Sequence, residues 1–340
     1  MNPDRFRVIT DRYRALRIAL VGDFCLDRYL EIDPARAEVS IETGLPVHNV
    51  VRVRSQPGGA GTILNNLVAL GVGKIHTVGF CGEDGEGFEL QRALQAMPGV
   101  STQHFLATPL RRTFTYCKPL LVEPDKPPVE LNRLDSKNWS PTPAEVQAHV
   151  AAAITELAAQ VDAVILLDQV DLPETGVVTA TVLDAVRAVA GARPELFIIA
   201  DSRRGLRGFP PVCFKMNRAE LAALTGANSA AGIDEIKATA ASLARTLGRP
   251  VIVTLSENGL LGATADGSAE HVPCLPLRGP IDIVGAGDSV TANLTAALAA
   301  GATLREALEI ANAAASIVVH QLGTTGTARV EGIGRLLDNA

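Results

Sequence analysis

The chain has 340 residues, of which 47% are hydrophobic, and its 31 basic and 37 acidic side chains give a formal net charge of -6. This length suffices for one large domain with a sizeable core, and the mild acidity without a basic run gives no footing for a nucleic-acid or anionic-membrane partner. Cys25, Cys81, Cys117, Cys213 and Cys274 stand singly with no CxxC pair, and the charged start MNPDRFRVITDRYRAL lacks an apolar leader, so neither a zinc cage nor a disulfide framework is indicated and a cytoplasmic protein is expected.

In chain order, RIALVG (17–22), KIHTVGF (74–80), VDAVILLD (161–168), LFIIAD (196–201) and PVIVTL (250–255) read as strands apolar on both faces. Helical patterns such as ILNNLVALG, TPAEVQAHVAAAITELAAQ and GIDEIKATAASLARTLG lie between most of them. Strands buried on both faces and alternating with helices predict an α/β fold, a three-layer sandwich with a mostly parallel central sheet, as one domain over residues 1–340. VHNVVRVRS (47–55), RTFTYCK (112–118) and VELNRLD (129–135) instead alternate polar and apolar residues. They predict a small β lid formed by excursions at about 30–56 and 108–135. Such a sheet needs a ligand beneath it or a second subunit against it, and a homodimer through the lid is expected.

The stretch IDIVGAGDSVTANLTAALAAG (281–301) places Gly285, Ala286, Gly287 and Asp288 at the mouth of an alanine-rich helix. Glycines there let backbone N–H groups converge, and the helix aims its positive end at the same point, which makes an anion site suited to a transferring phosphoryl group. An acid is a poor phosphate ligand but the right residue to accept a proton from an attacking hydroxyl. The plainer alternative, Asp288 as a cap and the glycines as a tight turn, stays open on the motif alone. No Walker A sequence competes, and GEDGEG (82–87) has the wrong spacing for a dinucleotide fingerprint.

The DIVGAGD element resembles the DxxGAGD signature of the ribokinase-like (PfkB) carbohydrate kinases. PGGAGTILNNLVALG (57–71), the NxxE-like Asn217-Arg218-Ala219-Glu220 and IANAAASIVVHQLGTTGTA (310–328) are similar to further elements of that family, in the same order. VGDFCLDRYL, VSIETGLPV, LNRLD and LGTTGTA look most like the heptose-7-phosphate kinases within it. The resemblance implies a kinase using ATP and Mg2+; the nucleotidyltransferase half fused to some of those enzymes is not expected here, so kinase activity only is expected. Carried over, it makes Asp288 the catalytic base and the backbone of Gly285, Ala286 and Gly287 the anion hole. Asp27, Gly58, Gly59, Asn66, Arg133 and Asp168 fall to the sugar or sugar phosphate. Thr254, Ser256, Gly259 and Asn312 border the nucleoside. Asn217 and Glu220 organise phosphates and hydrated magnesium, Glu220 through water, and Asp282 beside the LGTTGTA loop is a candidate for a monovalent cation, K+.

Read from the residues alone, Asp27 is equally a turn-forming acid, Gly58 and Gly59 a loop entering a helix, and KMNRAELAAL a helix with Asn217 as cap and Glu220 in a capping box. Two departures from the family stand out. Thr62 occupies a position where relatives commonly have Asn, leaving Asn65 or Asn66 to replace it. LLDQVDLPETG (166–176) keeps Asp168 but lacks the lysine that would clamp a sugar phosphate, for which Arg133, Arg111, Arg112, Arg203 and Arg204 are candidates.

Overall fold

The computed structural model describes residues 1–323 and 325–338. A nine-stranded sheet runs through its centre, in the order 269–272, 260–263, 251–254, 213–217, 197–202, 163–168, 17–22, 74–82, 100–108. Every neighbouring pair from 100–108 to 251–254 is parallel, and the last two pairings are antiparallel. The apolar runs account for the middle of this sheet: Ala163–Asp168 is buried at every position. A strand with both faces covered gains from apolar side chains on both, so alternation disappears.

Two hydrophobic clusters cover the two faces. One joins Ile18, Leu20 and Ile165 to the helices Ala60–Ala69, Ala286–Ala299 and Leu304–Val318, and the other joins Ala19, Val21 and Leu166 to the helices Ala144–Leu157, Ala180–Ala192 and Ile233–Leu247. Alternate residues of one strand thus feed opposite layers, which gives the expected three-layer sandwich. The helix Ala286–Ala299 is buried along its length from Ser289 to Ala297, which explains its small side chains: alanine lets it approach the sheet and its neighbours closely.

The second sheet has five strands: Leu134–Ser136, Phe114–Leu121, Phe24–Ile32 and Val50–Gly59 in that order, with Val129–Glu130 on the outer part of Phe114–Leu121. It is the lid, but its composition corrects the sequence reading. VGDFCLDRYL does not end a core strand in a turn; Phe24–Ile32 is the lid's central strand, antiparallel to Val50–Gly59 and parallel to Phe114–Leu121. Asp27 therefore sits within a strand, not just past one. The core strands Val100–Thr108, Cys213–Asn217, Leu260–Ala263 and Ala269–Val272 carried too little apolar signal to stand out, being short or at the sheet's edges.

Candidate active site

The lid meets the ends of the core strands around a cavity of about 420 Å3, and a second cavity of about 530 Å3 lies on the other side of the GAGD turn. Asp288 lines the first, while Ala286 and Gly287 line the second. The turn is therefore the partition between two binding volumes.

Its geometry follows from its glycines. Gly285 precedes the helix with φ +83°, and a Cβ there would press on Thr325 and Thr62 at 3.3 and 3.4 Å. Asp282 fastens the turn from below: one oxygen accepts the Val284 N–H at 3.0 Å and the other the Gly323 N–H at 3.3 Å. Among the described residues, the N–H groups of Gly287 and Asp288 have no acceptor, so the helix opens with donors aimed at the partition. Behind it, the Lys215 ammonium lies 2.6 Å from Asp201, and a Cβ on Gly287 would sit 3.1 Å from that ammonium. Burial pushes Asp288 up to about 7, with Lys215 and Arg203 opposing the rise and Asp201 and Asp27 adding to it.

The first cavity is sorted by depth. Asp23 and Asp27 are buried, 3% and 7% exposed, whereas the cations Lys118, Arg133, Lys137 and Arg203 are half-buried to exposed. Asp23 receives the N–H groups of Gln169 and Val177 at 2.7 and 2.6 Å. Burial and the neighbouring Asp168 raise its pKa. Asp27 is also raised, by burial, against the pull of Lys118 and Arg133. At the outer end, Arg133 pairs with Asp135 at 2.7 Å, and Asp171 pairs with Lys137 at 2.7 Å and Arg203 at 3.6 Å. Deep carboxylates accept hydroxyls, and an outer ring of cations meets an anion. The arrangement suits a polyhydroxylated molecule with a charged end.

The second cavity is mostly apolar. Leu260, Ile281, Ile283, Val290, Ala315 and Val319 supply its walls, and Thr254, Ser256, Gly259 and Asn312 border it. Gly259 has φ +85°, and a Cβ there would meet the Val272 carbonyl at 2.1 Å, while Asn312 donates to the Pro273 carbonyl at 2.9 Å. An apolar slot with a few polar edges, beside free N–H donors, fits a nucleoside whose phosphates run toward the partition.

Asn217 and Glu220 border neither cavity. They form the capping box read from the sequence: Asn217 Oδ1 accepts the Glu220 N–H at 2.9 Å, and Glu220 Oε2 accepts the Asn217 N–H at 2.7 Å. Glu220 Oε1 has no partner in the box, and burial raises the carboxyl's pKa. One oxygen is thus left to hold a metal-bound water, so the donor set fits an outer-shell magnesium ligand.

Four expectations need correction. Asn66 is wholly buried and gives its amide to the Thr62 and Gly326 carbonyls, Asn65 donates to the Pro57 carbonyl, and Thr62 itself lines the cavity. Asp168 is also buried, accepting Ser202 Oγ at 2.7 Å and Arg204 at 2.8 Å, and Asp23 takes the cavity position instead. Arg111 points its guanidinium at the carbonyls of Ser140 and Thr175, and Arg112 is held to Asn138 through its backbone, so neither serves the cavity. Gly59 lines the cavity with φ +58°, but Gly58 acts indirectly: a Cβ there would strike Asp27 Oδ2 at 2.6 Å. Thr324 of LGTTGTA lies outside the described residues.

Asp23, Lys118 and Lys137 were missed. A period-2 signal was available for the first two: Asp23, Cys25 and Asp27 alternate onto the cavity, as do Phe114, Tyr116 and Lys118 on the adjacent strand.

Fold and site put two cavities on either side of the GAGD turn, with Asp288 lining the first. Residues 24–330 match the profile of the pfkB family carbohydrate kinases, and the chain belongs to that family. The bifunctional protein HldE of Azorhizobium caulinodans is 32% identical over 315 residues, 92% of this chain and 63% of that protein. HldE of Bradyrhizobium sp. is 32% identical over 332 residues, 95% of this chain and 64% of that protein. The chain thus spans less than two thirds of the length of these relatives. Among solved structures, Escherichia coli phosphofructokinase-2 in complex with substrates and products has a TM-score of 0.71 at 18% identity, covering 95% of this chain and 99% of that one. Arabidopsis thaliana ribokinase complexed with ribose and ATP has a TM-score of 0.66 at 20% identity, covering 95% and 98%. These two share the fold.

Proposed function

We propose that the chain is an ATP-dependent kinase that phosphorylates a hydroxyl of a phosphorylated sugar, of the heptose 7-phosphate type. The observation that carries this reading is the sorted cavity: Asp23 and Asp27 deep, Asp288 at the partition, and Lys118, Arg133, Lys137 and Arg203 outermost. Magnesium ATP supplies the phosphoryl group when bound. Asp27 accepts sugar hydroxyls and orients the ring, and Asp288 takes the proton from the attacking hydroxyl. The free N–H groups of Gly287 and Asp288 and the helix behind them stabilise charge on the group being transferred. The lid covers the cavity and keeps water from competing with the sugar.

A kinase of a free sugar or nucleoside is the second reading. It is favoured by one observation: Arg133 and Lys137 already have aspartate partners, so their charge is partly spent. Comparing kcat/KM for heptose 7-phosphate, fructose 6-phosphate, fructose, ribose and adenosine at fixed ATP and magnesium decides between them. A bidentate cation contact favours the phosphorylated acceptor by about 10- to 150-fold. A free sugar or nucleoside ahead by tenfold overturns the sugar-phosphate reading and leaves the kinase; no ATP turnover with any acceptor favours a silent sugar-binding protein on the same fold.

Two subsidiary proposals accompany this. The fastening of Asp282 between Val284 and Gly323 supports a K+ site there that would stiffen the anion hole, which activity in potassium against sodium salts would test. Val53 on the lid strand Val50–Gly59, and Val39, Ile41 and Leu45 on the arm of the two-stranded pair Glu38–Val39 and Pro46–Val47 that precedes it, are exposed and support a lid-to-lid homodimer. No described helix is long and apolar enough to cross a membrane, and the cytoplasmic setting rests on the five unpaired cysteines.

A further inference from the structure

Tyr116 holds a central place in the lid that the reading above leaves without a task. Strand pairing sets Gln56, Asp27, Tyr116 and Asp135 side by side in one row across four strands of the lid. The last three of them line the first cavity, so the row is part of its roof. Two of the cations at the cavity mouth rest on the tyrosine ring: the Arg133 guanidinium lies 5.0 Å from its centre and the Lys137 ammonium 5.9 Å. The device recurs on the neighbouring strand, where the Lys118 ammonium lies 5.0 Å from the ring of Tyr29, its cross-strand neighbour.

An aromatic face attracts a cation through the ring quadrupole and consumes none of its hydrogen-bond donors. Carboxylates do consume them. Asp135 accepts from Arg133 Nε and Nη2 at 3.2 and 2.7 Å, and Asp171 accepts from the Lys137 ammonium at 2.7 Å. An arriving anion must compete with those two aspartates for the donors, and during the exchange something else has to keep the cations at the mouth. The ring can, because it makes no claim on the donors being exchanged.

We propose that Tyr116 is a specificity-determining positioning residue, whose ring keeps Arg133 and Lys137 in place for the anionic end of the acceptor. This rests on the sugar-phosphate reading and deepens it, by naming what fixes the two cations once their aspartate bonds are given up. A free sugar has no group to engage them. The effect of Tyr116 therefore belongs to phosphorylated acceptors alone.

The test is a preference ratio, kcat/KM for heptose 7-phosphate over kcat/KM for the free heptose, in wild type, Y116F, Y116L, R133M/K137M and Y116L/R133M/K137M. Binding of each sugar is followed in parallel by the fluorescence of Trp139, the chain's single tryptophan, which shares a small pocket with Tyr116 and Lys137. Y116L should lower the ratio by about 5- to 30-fold, mainly through KM for the phosphorylated sugar. Y116F keeps the ring and should stay within twofold of wild type. In the R133M/K137M background Y116L should change the ratio no further, because the ring then has nothing to hold; a merely structural role would instead lower turnover of both sugars in either background. If Y116L does not fold, Y116M is read in its place. A ratio unchanged without the ring overturns the proposal, as does one lost in Y116F or one that falls further in the triple variant. A wild type that does not favour heptose 7-phosphate overturns the sugar-phosphate reading and this proposal with it, whereas a wild-type preference that survives loss of the ring overturns this proposal alone.

Discussion

The Asp23 carboxylate accepts the Val177 N–H at 2.6 Å, joining two residues 154 positions apart and pinning the loop after the core strand Ala163–Asp168 against the root of the lid. That loop carries Gln169, Val170 and Asp171 into the cavity beneath the lid. Replacing Asp23 by Asn puts an amide donor where N–H groups now donate. Asp23→Asn should cost about 1 to 3 kcal/mol in denaturant unfolding and raise the sugar KM more than it lowers kcat. A KM at the wild-type value would detach Asp23 from the cavity wall.

Asp288→Asn should keep nucleotide affinity but reduce turnover by about 10²- to 10⁴-fold, the usual worth of a general base. Turnover at the wild-type rate would reduce Asp288 to the first turn of its helix.

The same residue predicts two pH dependences of defined sign. A base pushed up to about 7 must lose its proton before it can act, so kcat/KM should rise as pH increases through about 7. For stability, the folded pKa lies above the unfolded one of 3.8, so the folded protein favours the protonated form. The contribution of Asp288 is fully present below pH 3.8 and is lost as pH rises through about 7. Asp288→Asn lacks that loss, so its Tm should gain on wild type between pH 5 and 8. A constant Tm difference across that range would refute the buried-carboxylate account.

Glu220→Gln separates charge from capping, because glutamine at the third helical position can complete a capping box as glutamate does. The variant should melt within a few degrees of wild type yet need more magnesium for half-maximal activity. An unchanged magnesium titration would leave Glu220 with its structural role alone.

Ile41 is 99% exposed, on the arm between Glu38–Val39 and Pro46–Val47 that leads into the lid. If lids pair in solution, Ile41→Asp should convert a dimer to a monomer in light scattering at micromolar concentration. A monomeric wild type would end the lid-pairing proposal.

The GAGD turn was legible in the sequence because its demands are local: Gly285 must reach φ +83°, and a side chain at Gly287 would crowd the Lys215 ammonium. The capping box of Asn217 and Glu220 and the apolar core strands are local in the same sense, since each depends on spacings of a few residues. Which side chains share the cavity beneath the lid is a different kind of fact. The parallel pairing of Phe24–Ile32 with Phe114–Leu121 sets Asp27 opposite Tyr116 across some 90 residues of chain, and that register brings Lys118 beside the deep carboxylates. No local pattern encodes such a register, because it is selected by how the whole lid packs on the core. The same global packing buried Asn66 and Asp168 and turned Arg111 toward backbone carbonyls, giving the cavity to Asp23, Lys118 and Lys137. Residue type and spacing determined the turn and the carboxylate at the partition; long-range strand pairing decided what they face.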